Sequence, residues 1–474
     1  MSKIKLPALC FGTNYYSADQ VPITDLGSGE ALATIGHVVP ERIGSDVIRK
    51  GLLLRGREKL RAIPIAKRIE MAEASAEIFE QGTVECGGQQ QSPEDYRGLL
   101  SRTSGLSHKL ADINTSRVAA ALRMTGDVIS GLSRGLPYEA FDTGIAKQGG
   151  ATVRIVPRID GLGCCMPNNS PGVHVTWAAA ALGFPVLVRP GSAEPFTPYR
   201  MIKSLIKAGY PIEAFGFYPT SYAGADKILD VTGGGITFGD DSTVNKWKNY
   251  PLIQVHGAGY SKLIIGEDRI ENWKSLIPQL AQNIAANSGR SCFTISRLIV
   301  PRYGREIAEV LAKALASIVP KPLEDPEAML SAISMPAKAK WSNNVIEDGL
   351  KKAGAVDISA QFRNAKRLEV FEGRTYLHPT IIHCDSSSHD LANREFLFPY
   401  CAVVESSNDQ AFMELGKTLS LAVYTHEQEL KQRAADTGIA LVSINAPTSK
   451  LDRCQPHQEN LFELFYQRLS YVEA

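Results

Sequence analysis

A cysteine does covalent chemistry as its thiolate, a form favoured by nearby positive charge, a helix N-terminus or a neighbouring base. Cys292 closes the run Asn287-Ser288-Gly289-Arg290-Ser291-Cys292, with Arg290 before it and Arg297 after it. Taken alone, such a cysteine is more often structural. The chain's eight cysteines (10, 86, 164, 165, 292, 384, 401 and 454) follow no disulfide framework, and in 474 residues they read as free thiols. Pro167-Asn168-Asn169-Ser170-Pro171 holds two amides in a turn, and Val188-Arg189-Pro190-Gly191-Ser192 ends an apolar run on a guanidinium. His256 follows the apolar run Leu252 to Val255; a neutral imidazole with a pKa of about 6.5 is suited to proton transfer near neutrality. His383-Cys384-Asp385 with His389 and Asp390, and Cys454 with His457, have ligand-type side chains in polar loops, and no metal is expected there.

The elements that must position these residues follow from the apolar pattern. Residues 1–60 read as a polar, extended arm, and 57–86 and 92–135 as helical, broken by the turn from Gly87 to Gln91. Five short apolar runs follow: Gly161 to Met166, Pro185 to Val188, Phe215 to Tyr218, Ile236 to Phe238 and Leu252 to Val255. They alternate with amphipathic segments such as Thr197 to Ala208 and Ala223 to Val231, the pattern of βαβ units in a parallel sheet. Ligands of such sheets gather at the carboxyl ends of the strands. A helix from Glu271 towards Asn287 leads to Cys292. A second alternating region has strands at Ser296 to Val300, near Ile381, at Ala402 to Val404 and at Ala422 to Tyr424, with a helix from Gly304 to Ile318. The expected fold class is α/β: a Rossmann-type parallel-sheet domain, a second α/β domain and a small arm.

Composition narrows the function classes. The chain is 44% hydrophobic and 21% charged with a formal net charge of +1, which gives no reason to expect nucleic acid or an acidic membrane as a partner. No stretch approaches the roughly 20 apolar residues of a membrane span, so a cytoplasmic location is expected.

Taken in order, these segments resemble the aldehyde dehydrogenase superfamily from about residue 25 to 470. Asn287, Gly289, Arg290, Cys292 and Arg297 resemble its Asn-x-Gly-Gln-x-Cys motif with the later arginine, Arg290 standing in the glutamine place. Pro167 to Pro171 resembles Pro-Trp-Asn-Phe-Pro; Val188 to Ser192, followed by Pro195, resembles Leu-Lys-Pro-Ser-Glu; Glu395-Phe396-Leu397-Phe398-Pro399 resembles Glu-Ile-Phe-Gly-Pro. Leu421 to Thr425 and Ser443 to Asn445 match later core strands. The resemblance implies that Cys292 attacks an aldehyde and that Asn169, with the Cys292 backbone N–H, holds the oxyanion. Such donors are worth roughly 2.7–4 kcal/mol each. It further implies that Asn168, Arg189, Ser192, Ser242 and Glu395 hold NAD or NADP, Glu395 at the nicotinamide ribose.

Three departures qualify it. His256 stands where hydrolytic members have the glutamate that activates water. It can replace that base, orient a different acyl acceptor such as coenzyme A or an acyl carrier, or merely cap a strand. Arg189 and Ser192 replace the lysine and glutamate that hold the adenosine ribose; arginine forks onto phosphate, so NADP should be accepted. Phe238-Gly239-Asp240-Asp241-Ser242-Thr243 replaces Phe-Thr-Gly-Ser-Thr-Glu, setting two carboxylates near any diphosphate unless they point away or serve as caps. Residues 1–135 and 157–255 are therefore expected to bind NAD(P), 256–447 to form the catalytic domain, and 136–156 with 448–474 to join a homodimer or homotetramer. The expected activity is aldehyde oxidation through a thiohemiacetal and a thioacyl intermediate. The alternatives are an acylating dehydrogenase or thioester reductase, and a non-catalytic relative with a binding or structural role. The aldehyde itself is not legible.

Overall fold

A computed structural model describes residues 4–168, 177–450, 452, 454 and 460–472. Its contacts divide the chain into two units, one of Met1–Thr103, Ala111–Gly257 and Asp452–Ala474, the other of Ser104–Leu110 and Ala258–Leu451.

The first unit is built on the five expected strands, observed at Leu162–Cys165, Val186–Arg189, Phe215–Phe217, Gly235–Phe238 and Ile253–His256. All pair in parallel, in the order 253–256, 235–238, 162–165, 186–189, 215–217. They read as apolar runs rather than as alternating patterns because helices cover both faces of a parallel sheet. The helices Phe196–Lys207 and Tyr222–Thr232 are two of these, burying Ile202 and Leu205 in the first and Ile228 and Leu229 in the second. The earliest of the five in the chain lies at the centre, so the strand order reverses beside Leu162–Cys165. Such a switch point opens a crevice at the carboxyl ends.

The first sixty residues are not the extended arm that their polarity suggests. The strand Ala8–Cys10 joins the same sheet antiparallel to Phe215–Phe217, and Leu6, Ala8, Cys10 and Phe11 are buried. Short apolar triplets inside a polar sequence escape any reading based on average hydropathy. The last strand, Tyr466–Ser470, pairs with Ala151–Pro157, which pairs in turn with Ile145–Gln148. The aromatics before it pack edge-on within this unit, Phe141 against Phe462 and Tyr466.

The second unit repeats the plan. Its strands run in the order 355–357, 380–384, 400–405, 297–300, 262–265, 420–424, 441–444, all parallel except the first pair. The helices Trp273–Ala285 and Gly304–Leu315 cover one face through Leu276, Ile277, Leu280, Ile307, Leu311 and Leu315. Among the described residues no helix is long and apolar enough to cross a membrane.

Candidate active site

The helix Trp273–Ala285 ends in a single tight turn at Ala286–Gly289 that delivers Cys292. Asn287, Ser288 and Gly289 all have left-handed backbones, with φ of 50°, 56° and 68°. For the two residues with a Cβ this costs roughly 1–2 kcal/mol each, so the surroundings must hold the turn in place. They do so on several sides. The Ser288 hydroxyl accepts from the Ser331 N–H at 2.8 Å, and Arg290 donates to the Ser104 carbonyl at 3.0 Å. Beyond the cysteine, the Asn283 carboxamide oxygen accepts from the Ile295 N–H at 3.1 Å. A Cβ on Gly289 would lie 2.2 Å from the Phe398 carbonyl carbon, so the turn packs directly on the segment that carries Glu395.

Cys292 is also seated against the turn before the strand Lys262–Ile265. The Ser261 hydroxyl donates to the Cys292 carbonyl at 2.7 Å, and a Cβ on Gly259 would lie 1.9 Å from that same oxygen. Only glycine permits this approach. Glu395 binds the same turn: its carboxylate accepts from the Tyr260 N–H and is further held by the Gly259 N–H. Gly259 thus has Cys292 on one side and Glu395 on another, and Tyr260 holds a left-handed backbone (φ 45°) to aim its amide.

The electrostatics differ from what the arginines suggested. Burial and the Glu395 carboxylate push the Cys292 thiol up to about 12, and neither Arg290 nor Arg297 lowers it. Arg297 instead points into the unit, donating to the carbonyls of Glu414 (2.9 Å) and Leu415 (3.1 Å) and to Asn393 (3.2 Å). Burial also raises the Glu395 carboxyl to about 7, against the pull of two backbone amides and Lys262. Lys262, paired in register with Arg297, is lowered to about 7 by burial and by that guanidinium. Its ammonium donates to the carbonyls of Tyr260 (2.8 Å) and Lys417 (2.6 Å) and to the Thr418 hydroxyl (2.9 Å). A cavity of about 230 Å³ opens here, lined by Tyr260, Lys262, Ser296, Asn393 and Lys417 among others. That is smaller than the ~300–1,000 Å³ typical of pockets that enclose a whole organic ligand. Sequence reasoning missed Lys262 and the 259–261 backbone, although a lysine heading the buried run Lys-Leu-Ile-Ile was a visible anomaly.

The remaining candidates fall in the first unit, at the carboxyl ends of its strands. Asn168 brackets the loop after Arg189: its carboxamide oxygen accepts from the Ala193 N–H at 3.0 Å, and its amide donates to the Ser192 hydroxyl at 3.3 Å. A Cβ on Gly191 would meet that carboxamide oxygen at 2.4 Å. Arg189 donates to the Thr220 carbonyl at 3.4 Å and lies over the Tyr222 ring, 5.4 Å from its centroid. The nearby carboxylate, Glu194, is buried and accepts from the Thr197 N–H at 2.9 Å, so it serves a helix start. Asp240 does the same for the helix Asp241–Trp247, accepting from the N–H groups of Ser242 (3.0 Å) and Thr243 (3.3 Å) and from the Ser242 hydroxyl (2.5 Å). His256 ends its strand, buried and stacked on Phe238 at 4.8 Å between ring centroids. Asn169, Ser170 and Pro171, like His457, lie outside the described residues. Among the described residues no cluster of three or more His, Cys, Asp or Glu could hold a metal ion.

A model of the aldehyde dehydrogenase family matches residues 58–457. Among solved structures the chain is similar to an indole-3-acetaldehyde dehydrogenase in complex with NAD+, at 17% identity and a TM-score of 0.80, covering 99% of this chain and 96% of that one. It is similar to lactaldehyde dehydrogenase from Escherichia coli at 14% identity and a TM-score of 0.79, covering 98% and 99%. Aldehyde dehydrogenase 21 from Physcomitrella patens, in complex with the reaction product succinate, gives 16% identity and a TM-score of 0.76, covering 99% and 98%. At such identities the likeness is one of fold. No curated protein matches the chain by sequence.

Proposed function

The chain belongs to the aldehyde dehydrogenase family and is an NAD(P)-dependent oxidoreductase acting on aldehydes; within that frame we propose that Cys292 is its nucleophile and that it oxidises an aldehyde through a thioacyl enzyme. The observation that carries this reading is the strained turn at 287–289, held from several sides and ending on a cysteine that is not fully buried. Strain of this kind persists where a side chain must be aimed.

The residues of the first unit fit a dinucleotide at its adenosine end. Gly191 lets backbone approach where a Cβ could not fit, and Arg189 has N–H donors besides the one bonded to Thr220. Asn168, Arg189 and Ser192 would hold the adenosine ribose and any phosphate on it. Ser242 would reach a diphosphate only after release from Asp240. When bound, NAD or NADP supplies the two-electron acceptor. The chain's own residues do the rest: Cys292 Sγ forms the bond to the carbonyl carbon, and Asn169 with the Cys292 N–H receives the oxyanion. Glu395 stands at the ribose of the nicotinamide. His256 accepts a proton from the water that cleaves the thioester. The subunits join through 136–156 and 448–474 as a homodimer or homotetramer.

The test is aldehyde-dependent reduction of NAD and of NADP by the purified protein and by Cys292→Ser. The variant should lose turnover while still binding cofactor; retained turnover removes Cys292 from the mechanism. Comparing breakdown of the acyl-enzyme by water and by coenzyme A then assigns the acceptor. Hydrolysis that disappears in His256→Ala supports water, and acceleration by coenzyme A supports the acylating alternative. NADP bound at least as tightly as NAD is the outcome expected from Arg189 and Ser192; much tighter NAD binding refutes it.

A further inference from the structure

We propose that Glu395 accepts the proton of the Cys292 thiol as the sulfur attacks. This deepens the reading of Cys292 as nucleophile and rests on it. The two groups share one backbone turn: Gly259 and Tyr260 donate their amides to the Glu395 carboxylate, while the Gly259 backbone and the Ser261 hydroxyl abut the Cys292 carbonyl. On the other side, Gly289, three residues before the thiol, packs on Phe398, three residues after the carboxylate. Each is therefore fixed relative to the other through two independent contacts, and the Glu395 carboxylate raises the proton affinity of the thiol.

The surrounding charges leave Glu395 as the base of this unit. Lys262 is the other group brought near 7, but its ammonium already fills three bonds, to two carbonyls and a hydroxyl. Arg297 is bonded to two carbonyls and to Asn393, and the Glu414 carboxylate partly offsets the effect of burial on it. Arg394, next in the chain to Glu395, is exposed. A carboxyl with a pKa of about 7 is half ionised at neutral pH, where a base is most useful.

In the step itself the S–H bond breaks and its electron pair forms the S–C bond. The carbonyl π pair moves to oxygen, and the proton passes to a Glu395 carboxylate oxygen. No electron leaves the system.

The sign of one measurement separates this role from that of a bystander charge. A mere negative charge raises the thiol's pKa, so removing it should speed the thiol's reactions; a proton acceptor, when removed, should slow them. The experiment is the rate of iodoacetamide alkylation of Cys292, followed on its own peptide by mass spectrometry, in cofactor-free protein across pH 6–9. Loss of a cofactor contact cannot move this rate. The wild type should show a rise centred near pH 7. Glu395→Gln should abolish that rise and slow alkylation at pH 8 at least tenfold, and Glu395→Asp should restore part of it. Glu395→Gln alkylating as fast as the wild type or faster, while still melting cooperatively and no lower than the wild type, overturns the proposal. So does a wild-type profile with no step below pH 9, which covers the case of a misfolded variant. If Cys292→Ser retains aldehyde turnover, it is the nucleophile reading that fails, not the proton transfer.

Discussion

The two parallel sheets present their polar side chains at opposite ends of their strands. In the first unit Asn168, Arg189, Asp240 and His256 stand at or just beyond the carboxyl ends of Leu162–Cys165, Val186–Arg189, Gly235–Phe238 and Ile253–His256. In the second, Tyr260, Cys292 and Glu395 come before the amino ends of Lys262–Ile265, Arg297–Val300 and Tyr400–Glu405, and Lys262 and Arg297 open their strands. The first arrangement follows the general rule for open α/β sheets; the second departs from it. The means of positioning differ as well. The first cluster rests on helix caps and one carboxamide bracket, with donors partly exposed. The second rests on left-handed turns, two missing Cβ atoms and buried charges. Side chains that grip a ligand can sit on ordinary loops, whereas a nucleophile has to be held against strain.

If that contrast is right, the second cluster should be far less tolerant of change than the first. The largest effect is expected from Cys292→Ser. A residue that forms the covalent bond should cost at least about 10³-fold in turnover while leaving cofactor affinity within about threefold. Next comes Gly259→Ala, whose methyl would lie 1.9 Å from the Cys292 carbonyl oxygen. Backbone cannot yield there cheaply, so turnover should fall about 10²-fold and stability by roughly 2–4 kcal/mol, read from denaturant unfolding. Gly191→Ala, facing the end of the Asn168 side chain at 2.4 Å and backbone only at 2.9 Å, should cost less in both readouts. If the two variants behave alike, the distinction between the clusters falls.

Much of the frame was legible because the inner strands of both sheets are parallel and buried, so they announce themselves as apolar runs. The five parallel strands of the first unit lie within a residue of their sequence-derived bounds. The strand Ala8–Cys10 was missed because three residues carry too little pattern, and its pairing with Phe215–Phe217 spans some two hundred residues of chain. In the candidate site, the Cys292 segment and Glu395 were visible as motifs, but their meeting on the 259–261 turn was not. Periodicity does not report left-handed backbone at Asn287, Ser288 and Tyr260, and a sequence places no charge in space. Arg290 and Arg297 flank the cysteine in sequence yet bond elsewhere, whereas Glu395, a hundred residues away, joins burial in raising its pKa.

A smaller effect tests the buried charges of the second cluster through stability. The Glu395 carboxyl rises from an ordinary value of 4.5 to about 7 on folding, so the folded state binds its proton more tightly than the unfolded state. Between those values the unfolded chain holds fewer protons, and stability should fall as pH rises. Glu395→Gln removes this cost. It should therefore be more stable than the wild type at pH 8, by on the order of 1–3 kcal/mol, and should lose that advantage below pH 5. Lys262 works in the opposite sense: lowered from 10.5 to about 7, it makes the fold gain stability as pH rises from about 7 towards 10.5. An advantage of Glu395→Gln that is the same at pH 5 and pH 8 would mean that the carboxylate is not paying a burial cost.

The smallest effect belongs to the first cluster and concerns Asp240. Its carboxylate occupies the N–H groups of Ser242 and Thr243 and the Ser242 hydroxyl, the donors by which that helix start would meet a diphosphate. If the dinucleotide is gripped there, Asp240 competes with it twice, by hydrogen bonding and by charge. Asp240→Ala should then tighten NAD and NADP binding about threefold at low ionic strength, and the gain should shrink as salt screens the charge. Losing the cap should cost about 1 kcal/mol of stability, as N-cap substitutions generally do. Weaker binding together with the stability loss would instead show that the capped helix itself positions the cofactor. The diphosphate would then have to be held by groups other than Ser242, and the first cluster would rely on a fixed scaffold as the second does.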